Sequence, residues 1–191
     1  MIKKVVCVVS LFFMTGCFGG YSPESTFYTL QSIENVMPLS QTTLSLGVDL
    51  PDLPEYADRP QIVSVSSVNS ELNIDETNRW GEDLDIMLQR IIASDLRAYL
   101  PKAGIKPRTS LLEQYKYILN VSVVRFDMIK NNEAYLEALW SIKNGNTFDV
   151  IYKSKTTLSM PLKDGYNDYV NAMSEMVSQM CKQIAQKLIK N

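Results

Sequence analysis

The sequence predicts an α+β domain: a mostly antiparallel sheet with two long amphipathic helices packed on one side, in the order β-β-β-(β)-α-β-β-β-α. Three observations carry this. Two stretches step by three and four in apolar residues, the period of a helix with one buried face. Several shorter stretches alternate apolar and polar residues, the period of a half-buried strand. The 191 residues, 46% of them apolar and 21% charged, suffice for one domain with a short appendage. The 19 basic and 21 acidic side chains give a formal charge of −2, which argues against a nucleic-acid partner. There is no His. Mechanisms of the Ser-His-Asp and Cys-His kind, and most zinc sites, are therefore excluded. The three cysteines at 7, 17 and 181 have no metal-ligand spacing.

Taken in chain order, residues 1–16 come first and are expected to be a leader. Lys3 and Lys4 precede an uncharged, mostly apolar run over 5–14. Ten helical residues rise about 15 Å, half a hydrocarbon core, which suits a secretory signal rather than a spanning helix. Residues 18–25 are rich in Gly, Ser and Pro and predict a tether. Residues 26–32 predict a strand. Leu44, Leu46 and Val48 predict a second with one buried face. Pro51, Pro54 and Pro60 are expected to hold the following link extended. A third strand is expected over 61–68 and a short partner for it over 71–74.

The first helix is expected over 78–99. Its stripe is Trp80, Leu84, Met87, Leu88, Ile91, Ile92 and Leu96. Glu82, Asp83 and Asp85 fall in its first turns, where the helix dipole favours anions. Pro101 and Gly104 end it. A meander follows. One strand spans 117–130, with Tyr117, Leu119, Val121 and Val123 on one face. The second, over 133–143, sets Leu136, Ala138, Trp140 and Ile142 opposite Tyr135, Glu137, Leu139 and Ser141. Asn144-Gly145 reads as a tight hairpin turn into a third strand over 148–160. The last helix, over 166–190, carries the stripe Val170, Met173, Val177, Met180, Cys181, Ile184 and Leu188.

Met14-Thr15-Gly16-Cys17, directly after the apolar run, resembles a bacterial lipobox. That resemblance implies cleavage before Cys17, S-diacylglycerol and N-acyl (palmitate) modification of Cys17, and a tether over 17–25. Phe18 rather than Asp follows the cysteine. By resemblance to the enteric sorting rule, the destination is the outer membrane, facing the periplasm.

Four further blocks carry a wider resemblance. They are Tyr28-Thr29-Leu30, then Leu50-Pro51 through Asp58-Arg59-Pro60-Gln61-Ile62-Val63, then Arg79-Trp80-Gly81-Glu82-Asp83-Leu84, then Gly165-Tyr166-Asn167-Asp168-Tyr169-Val170-Asn171-Ala172. In this order they resemble the ABC-type transport auxiliary lipoproteins, the PqiC-like family, with the domain spanning 26–191. The resemblance implies a non-enzymatic protein without cofactors. It implies an outer-membrane component of a lipid-transport system with an MCE-domain partner, docking the periplasmic conduit and able to form a homo-oligomeric ring.

Each singled-out residue has two readings. Tyr28 sets strand register or offers an edge to a partner strand. Arg59 fixes the Pro-rich link or meets a phosphate or carboxylate. Trp80 is core or an interface anchor. Met173, Met176 and Met180 fill the core or line a lipid groove. Cys181 is expected to be a small buried apolar residue. Glu82 and Asp83 are adjacent and point about 100° apart on a helix, so they form no catalytic pair. A rival function is a periplasmic lipid carrier that holds acyl chains in its own cavity.

Overall fold

The computed structural model describes residues 24–34, 36–66, 69–129, 132–163 and 165–190. The expected leader, Cys17 and most of the expected tether lie outside the described residues. The strands are β1 (Thr26–Tyr28), β2 (Ser45–Val48), β3 (Gln61–Val65), β4 (Leu72–Trp80), β5 (Gly104–Pro107), β6 (Tyr117–Ile129), β7 (Glu133–Asn144) and β8 (Val150–Pro161). The helices are α1 (Leu84–Tyr99), between β4 and β5, and α2 (Gly165–Leu188), after β8.

All eight strands form one sheet with β6 as its spine. One edge of β6 pairs antiparallel with β7 along its length, and β7 pairs antiparallel with β8. The other edge is shared. β2 runs parallel to its start, from Leu46 opposite Tyr117 to Val48 opposite Leu119. β3 runs parallel to its end, with Ser64 opposite Met128. Between them Asp52 bridges Ser122. β5 flanks β2 in parallel; β4 flanks β3 antiparallel, and β1 flanks β4 in parallel.

The sheet is therefore mixed, not mostly antiparallel. Periodicity reports which side chains share a face, and it is silent on strand direction. The connections decide direction. β2 and β3 are two pieces of one course along β6, interrupted by the Pro-rich link. α1 is the crossover that returns the chain so that β5 can run parallel to β2.

Several boundaries and local conformations also differ from expectation. Residues 78–80 belong to β4, not to α1, so Trp80 is a strand residue. α1 begins at Leu84, after the N-cap residue Asp83, whose side chain makes no capping bond. Glu82 precedes the helix and pairs with Arg90. Of the expected acidic first turn, Asp85 remains. β5 went unexpected because Gly104-Ile105-Lys106-Pro107 is too short to show alternation. The Pro-rich link is not extended throughout: Ala57 and Asp58 donate to the Pro54 carbonyl and turn the chain.

The inner face of β6 runs Leu119, Val121, Val123, then Phe126 and Met128 after a bulge that turns Val124 outward. Opposite them stand Ile142, Trp140, Ala138, Leu136 and Ala134 of β7. The stripes of both helices close over this face, and every stripe residue expected for the last helix is buried, Cys181 included. Residues 29–34 then cross the outside of the helices. The Leu30 amide meets the Met87 sulfur at 3.1 Å, the Gln31 amide donates to Ser174 Oγ at 3.0 Å, and the Ile33 amide donates to Asp95 Oδ1 at 2.9 Å. Met87 and Asp95 lie on α1 and Ser174 on α2, so this strap ties both helices. Among the described residues the core cluster runs from Leu30 to Leu188.

Candidate functional site

The four sequence blocks, far apart in the chain, meet at one place. Tyr28 of β1 is the register partner of Trp80 in β4. The Gly81 amide donates to the Tyr28 carbonyl at 2.8 Å, and the Trp80 amide donates to the Pro60 carbonyl at 2.7 Å. The Tyr28 ring lies 6.0 Å from that of Tyr166, at the start of α2. Trp80 is 4% exposed and meets Phe126 edge-on at 5.9 Å and Tyr169 at 6.1 Å. Its core reading holds. Gly165, at φ 63°, opens α2 in a conformation that a side chain would strain.

An aspartate in β4 anchors this hub. Asp75 accepts hydrogen bonds from the Thr77 and Asn78 amides, the Thr77 hydroxyl, the Asn78 side chain and, at 2.6 Å, the Tyr166 hydroxyl. It closes a loop over 75–78 that bulges from the β3–β4 pair, where Gln61 faces Arg79 yet Val63 faces Ile74. Burial alone would raise the Asp75 carboxyl. The bonds from Tyr166, Asn78 and Thr77 outweigh it and hold the carboxyl well below its ordinary range. Tyr166 is pushed up, by burial first and then by Asp75. Tyr28, whose hydroxyl donates to Asn78 Oδ1 at 3.0 Å, is raised for the same two reasons.

Arg59 turns its amide to the Ala57 carbonyl. Its Nε, like that of Arg79, is buried without a hydrogen-bond partner among the described residues. The link is pinned by another residue. The Tyr56 hydroxyl donates to Asp127 Oδ2 at 2.8 Å and accepts from the Phe126 amide. Asp127 is also held by Arg125 in a two-bonded ion pair. Burial, and then Asp127, push the Tyr56 phenol far up.

Sequence reasoning thus found Tyr28 and Trp80 and missed Asp75, Asp127 and Tyr56. Acidic residues in a polar strand carry no periodic signal; only the spacing Asp75-x-Thr77-Asn78 hints at a side-chain-closed turn. Met173, Met176 and Met180 are all buried in α2 and fill the core. The Glu82–Asp83 pair makes no acid–base arrangement, since Glu82 is committed to Arg90. Among the described residues, no group of three Cys, Asp or Glu could hold a metal ion, and no helix is long and apolar enough to cross a membrane.

What the hub can do is structural. It locks the entry of the chain, the β3–β4 pair and the start of α2 into one unit. Two solved structures share this architecture. One, a crystal structure of an uncharacterized protein, superposes with a TM-score of 0.72 at 22% identity, over 87% of this chain and 99% of that one. The other, protein XCC0632 from Xanthomonas campestris, gives 0.70 at 18% identity, over 84% and 93%. These likenesses establish the fold. No curated protein matches the sequence. Residues 28–185, which contain every element of the hub, match the ABC-type transport auxiliary lipoprotein components, and the chain belongs to that family. Membership of a transport-auxiliary lipoprotein family, which is not a known enzyme family, points to a membrane-anchored protein of the cell envelope.

Proposed function

We propose that this protein is the outer-membrane docking subunit of an MCE-type lipid-transport system. Acyl chains on Cys17 hold it to the periplasmic face of that membrane, and the folded domain binds the conduit. Two or three chains give a stable anchor where one would hold only marginally. The domain assembles into a homo-oligomeric ring that matches a tubular partner. The family membership supports a transport role.

The observation that favours docking over carriage is the filled interior. A carrier holds acyl chains between sheet and helices. Here that space is taken by Trp80, Phe126, Leu136, Tyr169, Met173 and Met176, all buried against one another. A groove of about 720 Å³ lies at the sheet edge between β5 and residues 109–115, outside that core.

Native mass spectrometry of residues 18–191 tests this. A lipid-free ring, or a ring formed once the MCE-domain partner is added, is the expected result. A monomer carrying stoichiometric phospholipid would sink the docking reading in favour of a carrier.

A further inference from the structure

We infer that the end of the sheet where β6 begins is a second membrane contact, independent of acylation, that seats on an anionic phospholipid surface. Two loops build it. Residues 108–116 carry Leu111 and Leu112 at their tip, 81% and 90% exposed. The β7–β8 turn carries Phe148, 56% exposed. The loops are fastened together, since the Gly145 amide donates to the Lys116 carbonyl at 2.9 Å. Their contact is close enough that a Cβ on Gly145 would come within 1.6 Å of the Tyr115 carbonyl oxygen.

Phe148 adopts φ 61°, a left-handed conformation that costs an aromatic residue energy. In most turns Gly or Asn would occupy it. Here it sets a large ring into solvent, on a turn fastened to the loop that carries the two leucines. Three apolar side chains on protruding loops suit insertion among lipid headgroups. None of the three lines the groove between β5 and this loop, whose walls include Lys106, Glu113 and Tyr115.

Charge selects the kind of lipid. Lys102 and Lys106 are exposed in and beside β5. Lys116 is exposed with its amine 4.8 Å over the Tyr117 ring, and Lys143 pairs across β6 with Ile118. All four stand at this end. The carboxylates here are fewer. Asp49 is ion-paired to Arg108, which leaves Glu113 and Asp149 against the four lysines. A basic end on a chain of net charge −2 complements an anionic surface.

The length of chain ahead of β1 permits this contact alongside an anchor at Cys17. Nine residues from Cys17 to Thr26 reach up to about 31 Å when extended. The strand registers set Thr26 roughly 26 Å along the sheet from the start of β6. The apolar tip and the anchor can therefore share one membrane.

The test uses residues 18–191, which hold every described residue of the core and lack the acyl group. An environment-sensitive fluorophore is attached at Leu112→Cys, the native Cys181 being wholly buried. A control carries it at the exposed Glu55. Vesicles of phosphatidylethanolamine and phosphatidylglycerol, about 3:1 to present an anionic surface, are titrated in, with and without bromine on the acyl chains. The expected result is a blue shift at 112 and at least a twofold quench by brominated lipid, both weakened by Leu111→Ser and by high salt. The Glu55 probe stays unchanged. No quench at 112 at millimolar lipid would overturn the proposal. A blue shift that grows with protein concentration without vesicles would also overturn it, by showing that the tip meets a second copy. Neither failure touches the docking reading, which the ring and lipid measurement decides separately.

Discussion

Replacing Trp80 by Ala decides between the two roles open to that residue. Trp80 is 4% exposed and sits between Phe126 and Tyr169 at ring distances of 5.9 and 6.1 Å. Emptying a buried Trp site costs about 3–5 kcal/mol. Each well-placed aromatic pair contributes about 0.5–1.5 kcal/mol beyond its area, which sets the expectation near the top of that range, about 5 kcal/mol. For a domain of this size 1 kcal/mol moves Tm by about 2–4 °C, so the loss is about 10–20 °C. Urea denaturation followed by the fluorescence of Trp140, the second of the two tryptophans, measures it directly. The midpoint should fall with the slope unchanged. Trp80→Phe keeps an edge against Phe126 and should cost distinctly less, which covers the case in which the Ala variant does not fold. A destabilisation under about 1 kcal/mol for Trp80→Ala, the range of ordinary surface changes, would refute the core assignment and return Trp80 to an interface.

Four further outcomes are expected. Tyr166→Phe removes the 2.6 Å bond to Asp75 and should cost about 1–2 kcal/mol, less than a fully buried charged hydrogen bond, visible as a lower Tm at pH 7. Because the folded Asp75 pKa is depressed, its contribution is present above the unfolded value and is lost as pH falls through the folded one. The wild-type advantage over Asp75→Asn should therefore shrink on acidification in a Tm series from pH 7 to pH 2. Asp95 has the opposite sign. Burial raises its carboxyl against the bonds from Ser32 and Ile33, so stability is lost as pH rises from the unfolded value through the folded one; Asp95→Asn should flatten that slope in the same series. Burial also lifts the Cys181 thiol well above its ordinary value, so in the leader-free domain it should resist a thiol reagent at pH 8 at least a hundredfold better than in urea; equal rates would contradict its place in the core.

The helices and the meander were legible because their signals are local. A stripe from Val170 to Leu188 has one interpretation once it is long enough. Leu136, Ala138, Trp140 and Ile142 alternate without interruption and landed on the inner face as expected. Asn144-Gly145 marked the right place for a turn, though for a different reason. The turn runs on to Asp149, whose carbonyl accepts from the Asn144 amide, and Gly145 is needed for its closeness to Tyr115. What stayed hidden depends on residues distant in the chain. Trp80 fits a helical stripe with Leu84 as well as it fits a strand. Its strand pairing with Tyr28 and its bond to Pro60 settle the matter, and neither partner is visible from its neighbourhood. The parallel pairing of β2 and β3 with β6 is likewise a property of connections. Asp75 and Asp127 became important because Tyr166 and Tyr56, 91 and 71 residues away, donate to them.

The strap over 29–34 has a mechanical meaning. Any pull on the N-terminal end of this chain enters the domain through β1, whose three residues lie parallel to β4. Tension along β1 shears those bonds together and does not unzip them one at a time. Should β1 give way, the load passes to Leu30, Gln31 and Ile33, each fastened to a helix side chain. The element that would then bear the force is held by both helices, so a tug on the end passes from the sheet to the helices and is shared between them.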